Sequence, residues 1–80
     1  MGFRVTFIEK VPAYSKPMIG DLKGYIAKNI SVKTSGIFVD KEKRIWIAFI
    51  GNSGQLRYSI IKDKDGSSFI DQNSWLQFNQ

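Results

Sequence analysis

Residues 44–61 read Arg44-Ile45-Trp46-Ile47-Ala48-Phe49-Ile50-Gly51-Asn52-Ser53-Gly54-Gln55-Leu56-Arg57-Tyr58-Ser59-Ile60-Ile61. From Ile45 to Ile50 every side chain is apolar. In an extended chain, successive side chains point to opposite faces, so this segment is apolar on both and suits a central strand with neighbours at both edges. The small residues Gly51-Asn52-Ser53-Gly54 suit a tight hairpin turn, with positive φ expected at Gly51, Gly54 or both. Beyond the turn the pattern alternates: Leu56, Tyr58 and Ile60 share one face, and Gln55, Arg57 and Ser59 the other. Upstream, Val39-Asp40-Lys41-Glu42-Lys43-Arg44 is a charged turn. Ile37–Ile61 therefore predicts a three-stranded antiparallel meander.

Working outward, no window carries apolar residues at i, i+3, i+4 and i+7, so essentially no helix is expected. β-Branched and aromatic residues instead recur in short runs broken by Gly, Asn, Asp and Ser. The predicted strands are Phe3–Ile8, Ala13–Ser15, Leu22–Ile26, Ile30–Thr34, Ile37–Asp40, Arg44–Ile50, Gln55–Lys62 and Trp75–Phe78. Pro12 and Pro17 bracket a short extended piece, and Met18–Lys23 reads as a loop leading into the next strand. The expected fold class is all-β, a small, strongly bent barrel of five to eight short strands. At 80 residues the chain makes one domain, 1–80, with no repeat, low-complexity stretch or linker.

Composition narrows the chemistry. Twelve Lys and Arg against seven Asp and Glu leave a net charge of +5, which favours anionic partners. The absence of cysteine and histidine removes disulfides, thiolate nucleophiles, histidine-based triads and zinc or haem sites. Asp63-Lys64-Asp65-Gly66-Ser67-Ser68-Phe69 has the flavour of a calcium loop. With Gly66 at loop position six, however, Ile61 and Gln72 occupy the positions that require carboxylates, so a surface turn is expected. A glycosidase needs only two carboxylates. Most of the seven here sit in turn-like sequence beside Lys or Arg, as solvated charges do. The expectation is a binding protein and not an enzyme, with no cofactor and no metal. The longest apolar stretch, Ile45–Ile50, is too short to span a bilayer, and the N-terminus lacks the design of a signal peptide. These features fit a cytoplasmic chain or a mature exported one.

Phe3, Phe7, Phe38 and Phe49 are expected in the core, whereas Tyr14, Tyr25, Trp46, Tyr58 and Trp75 could serve either a core or a ligand surface. Tyr58, on the face of Leu56 and Ile60, carries both readings. The cations are spread along the chain without the basic and aromatic interleaving of single-strand binders. A small barrel binding nucleic acid or a protein partner inside a cell, of phage origin for example, is the alternative reading.

The stretch Trp46 to Tyr58 resembles the signature of the bacterial Src-homology-3-like cell-wall-binding domains, the targeting domains of bacteriolysins and phage endolysins. In that family Trp-x-x-Tyr-x-Gly-x-Ser-Gly-x-Arg-x-Tyr and close variants recur. The register runs without gaps from Ile37 to Trp75, and Val11-Pro12-Ala13-Tyr14-Ser15-Lys16-Pro17 and Gly24-Tyr25-Ile26 are similar to the family's first strands. Phe49 stands in place of the usual Tyr, and Ile37 where a bacteriolysin carries an acidic ligand-contacting residue. The resemblance implies a Src-homology-3-like barrel that binds peptidoglycan through its peptide cross-bridge. It also implies a secreted or wall-associated location and a role in holding a hydrolase domain, fused in many members, on its substrate. It implies ligand-contacting positions at Tyr58 and Trp75, with Ile37 and Val39 on the wall of the same groove and Tyr14 and Asn52 also among the ligand-binding residues. A glycine-rich bridge has no side chains to read, so its binder needs a narrow groove, backbone-directed hydrogen bonds and aromatic walls.

Overall fold

The computed structural model describes residues 3–78. It contains β1 (Arg4–Thr6), β2 (Val11–Tyr14), β3 (Leu22–Ile26), β4 (Ser31–Val39), β5 (Ile45–Ile50), β6 (Leu56–Lys62) and one short helix, α1 (Gln72–Gln77). All six strands lie in one antiparallel sheet of order β1-β4-β5-β6-β2-β3. The expected meander is present as β4-β5-β6, with Ile45–Ile50 in its centre. Phe38 stands beside Trp46 and Trp46 beside Ile60; Gly36 stands beside Ala48 and Ala48 beside Tyr58.

The sheet rolls up on itself. Its Cα extents are 29 × 26 × 23 Å, whereas a flat sheet with one covering layer would be roughly 10 Å between layers. β4 makes the bend. Its first residues pair with β1 and its later ones with β5, and the register shifts between Thr34 and Gly36. Ile30–Thr34 and Ile37–Asp40, expected as two strands, are thus one bulged strand: Ser35-Gly36 turns the chain without interrupting it. The ends of the sheet, β1 and β3, contribute Val5 and Ile26 to the same core cluster. No ladder joins these two strands among the described residues, so the roll remains open.

The core lies inside the roll. Val5, Phe7, Val11, Ala13, Ile26, Ile47, Phe49, Ile61 and Ile70 are buried there together. Burying one such Phe or Ile completely contributes roughly 1.5–3 kcal/mol. Phe7 and Phe49 fulfil their expectation. Phe3 is half-buried against Phe78, with ring centroids 5.1 Å apart. Phe38 does not join the core: it pairs with Trp46, and the residues on either side of Trp46 in β5 take opposite faces, so Phe38 lies on the outside of the roll.

Pro12, expected to flank an extended piece, sits within β2. Its carbonyl accepts a hydrogen bond from the Ser59 hydroxyl at 2.9 Å. The missing N–H lies on that same side, toward β6, where the β2–β6 ladder holds only the Tyr14–Tyr58 pair. In the hairpin turn Gly54 has φ +82°, a left-handed conformation that glycine adopts without a steric penalty.

The segment Trp75–Phe78, expected as a strand, is helical through Gln77 and closes at Phe78. Asp71 caps the helix, its carboxylate accepting from the Ser74 amide at 2.8 Å and from the Ser74 hydroxyl. Trp75 and Phe78, three apart, fall on one side of a helical turn and pack against the core. The helix returns to the first strand: the Gln77 side chain accepts from the Arg4 amide at 3.3 Å and donates to the Arg4 carbonyl at 2.6 Å.

Candidate functional site

The outer face of the meander is built from alternate residues of its strands. Register places Phe38, Trp46 and Ile60 in one row; Gly36, Ala48, Tyr58 and Tyr14 in the next; and Ile50 with Leu56 beyond. Four aromatic rings meet here. Phe38 lies parallel to Trp46 at 6.4 Å between centroids, while Tyr14 meets Trp46 edge-on at 5.9 Å and Tyr58 meets Phe38 edge-on at 6.2 Å. Trp46 is only 2% exposed, whereas Tyr14, Phe38, Tyr58 and Ile60 are half-buried around it, and Ile50 and Leu56 are exposed.

The middle row changes height along its length. Gly36 and Ala48 are small, and a Cβ placed on Gly36 would meet only the Ala48 Cβ, 4.0 Å away. The row is therefore a shallow trough with exposed Gly36 and, beneath its larger neighbours, Ala48 at 9% exposure as its floor, closed at one end by Tyr58 and Tyr14. Phe38 with Trp46 forms one side and Ile50 with Leu56 the other.

Asp40 anchors this face. Its Oδ2 accepts from the Trp46 indole Nε1 and the Arg44 Nε, each at 2.8 Å. Its Oδ1 accepts from the Glu42 amide at 2.8 Å and the Arg44 amide at 3.0 Å. Burial alone would raise the Asp40 pKa. The bonds from Trp46, Arg44 and Glu42 outweigh it and hold the carboxyl well below the usual carboxylate range. The 40–44 turn and the tryptophan are thus locked together.

The six residues singled out in the sequence fall in three places. Tyr58 and Tyr14 are register partners on the outer face. Ile37 and Trp75 line a cleft of about 560 Å³ on the other side of the sheet, together with Ile45, Lys62 and Phe78. Val39 pairs with Ile45 on that side and is 61% exposed. Asn52 is on the β5–β6 turn, at the rim of a third region, a cleft of about 640 Å³ between that turn and β3. Tyr58 and Trp75 are therefore on opposite faces and share no groove. Trp75 is held as a packing residue. Its Nε1 donates to the Ser68 hydroxyl at 2.6 Å, its ring meets Phe78 edge-on at 5.9 Å, and the Lys62 ammonium lies 5.5 Å from its centroid.

Sequence reasoning passed over Gly36, Ala48 and Phe38. Ala48 lay inside the expected central strand, but Gly36 fell in the gap between the expected strands Ile30–Thr34 and Ile37–Asp40, and only the continuous bulged β4 sets the two opposite each other. What the trough offers is apolar contact and phenolic hydroxyls to a thin, extended ligand.

Comparison of the chain with protein-family models, with curated proteins and with solved structures finds no match.

Proposed function

We propose that the chain is a non-catalytic module of the Src-homology-3-like kind that binds bacterial peptidoglycan through its peptide cross-bridge. It thereby keeps a cell-wall hydrolase, fused or associated, on its substrate at the cell surface. The observation that carries this reading is the trough whose floor is Gly36 and Ala48 and whose end is Tyr58 and Tyr14. A floor without bulky side chains admits a ligand whose own backbone comes close, and a glycine-rich bridge is such a ligand. Tyrosine contributes a flat apolar surface and a hydroxyl that can bond a peptide carbonyl or amide. The Trp46–Tyr58 stretch, which carries the family resemblance, supplies the Ile50 and Leu56 side and, of the row itself, Ala48 and Tyr58. Contacts with one bridge are few, so single-site affinity is weak and gains from the repetition of bridges along the wall.

The test is cosedimentation with purified peptidoglycan from walls of differing cross-bridge composition. Tyr58→Ala should reduce binding tenfold or more while the melting midpoint stays within a few degrees. Gly36→Val fills the trough, and Gly36 has no left-handed φ to strain, so this variant should fold as well as the parent and lose binding equally. Trp75→Ala removes a half-buried ring and should lower stability by about 2–4 kcal/mol, leaving the folded protein's affinity unchanged. Undiminished binding by both Tyr58→Ala and Gly36→Val would exclude the trough as the site.

A further inference from the structure

The cleft between β3 and the β5–β6 turn carries a character different from the trough. Its volume is about 640 Å³, and its lining includes Lys23, Tyr25, Asn52, Ser53 and Arg57 but no carboxylate. Arg57 directs its guanidinium to the Leu56 carbonyl at 2.9 Å and the Gln55 side-chain oxygen at 2.8 Å. Among the described residues the ion pairs all involve Asp40 or Glu42, on the far turn, so neither Lys23 nor Arg57 is neutralised by an acid. Tyr25, 57% exposed, carries the Lys10 ammonium 4.5 Å from its ring centroid. Two cations from separate segments, Lys23 and Arg57, thus line one concave surface that no acidic side chain lines, and a third, Lys10, stands against the ring of Tyr25, itself a lining residue.

We infer that this cleft is a second binding site, separate from the trough, for a phosphodiester-linked polyol chain of the cell wall. Unpaired Lys and Arg around a concavity attract phosphate, and Arg presents a fork of donors to its oxygens. Single-stranded nucleic acid has the same charge, but its binders add a series of aromatic platforms for successive bases. Here two aromatics line the cleft, Phe49, which is buried in the core, and Tyr25, the exposed one, whose ring already carries an ammonium. The ring positions a cation instead of stacking a base. The choice of a wall polymer rests on the peptidoglycan reading; the anion-binding site itself does not.

The protein is titrated with soluble poly(glycerol phosphate), with oligothymidylate of matched charge, and with sacculi stripped of phosphate polymers by acid. The polyol phosphate should bind, with affinity falling as salt rises through physiological strength. The triple variant Lys10→Gln, Lys23→Gln, Arg57→Gln should lose at least tenfold in that affinity and still bind stripped sacculi as the parent does. Should the triple variant melt early, Lys23→Gln alone, at an exposed position, should lose at least threefold. Unchanged polyol-phosphate binding by these variants, or no binding by the parent, would overturn the site. Tighter binding of oligothymidylate would replace its ligand with nucleic acid. Failure on stripped sacculi with retained polyol-phosphate binding would strike the cross-bridge reading alone.

Discussion

Asp40 accepts four hydrogen bonds through two oxygens, and one donor is the indole of the most deeply buried aromatic on the outer face. An amide at this position can accept through one oxygen only, so Asp40→Asn leaves donors facing a donor and should lower the melting midpoint at neutral pH by several degrees. The sign of the pH dependence follows from the depressed pKa. The unfolded chain takes up its proton near the ordinary value of 3.8, the folded chain only at lower pH. The stabilisation is therefore complete well above pH 4 and is lost as pH falls through and below that value. In thermal melts between pH 7 and pH 2 the gap between parent and variant should narrow toward the acid end; a constant gap would show that the charge of Asp40 is not what matters. None of this was legible in Val39-Asp40-Lys41-Glu42-Lys43-Arg44 beyond a charged turn, because a carboxylate's partners are set by where the turn folds back. Gly54, by contrast, was legible, since a tight turn between two alternating strands restricts the residue types it can hold.

At the scale of elements, the meander could be read from Ile37–Ile61 because a run apolar on both faces leaves few options. The helix could not. Six residues are too few for a period of 3.6 to register, and Trp75-Leu76-Gln77-Phe78 is apolar enough to pass for a strand. The cap was the better cue, because Asp71 followed by Ser74 places an acceptor opposite the third helical amide. Asp71→Ala should destabilise the protein by about 1 kcal/mol. It should also remove the small helical component from the far-ultraviolet spectrum before the β signal changes on heating. If the helix persists to the global transition, packing of Trp75 and Phe78 on the core maintains it without the cap. The candidate site divides in the same way. Tyr14 and Tyr58 were named for their residue type and register, but whether a strand residue faces in or out depends on the direction in which the sheet rolls. Alternation supplies the two faces and leaves their assignment open. That is why Phe38, expected in the core, lies on the outside of the roll.

For the molecule as a whole, the rolled sheet presents three separate surfaces from one small core: the trough outside the meander, the basic cleft beside β3, and the cleft occupied by Trp75 and Ile37. The two bonds between Arg4 and Gln77 add a topological consequence. Because the first strand and the last helix touch, the two ends of the described residues are neighbours in the fold. A circular permutant that joins the two ends through a short linker and opens between Asp63 and Lys64, in an exposed turn, keeps every strand pairing intact. It should melt cooperatively and sediment with peptidoglycan as the parent does. An unfolded permutant would mean that the order in which the strands emerge, and not only their final neighbours, is needed to roll the sheet.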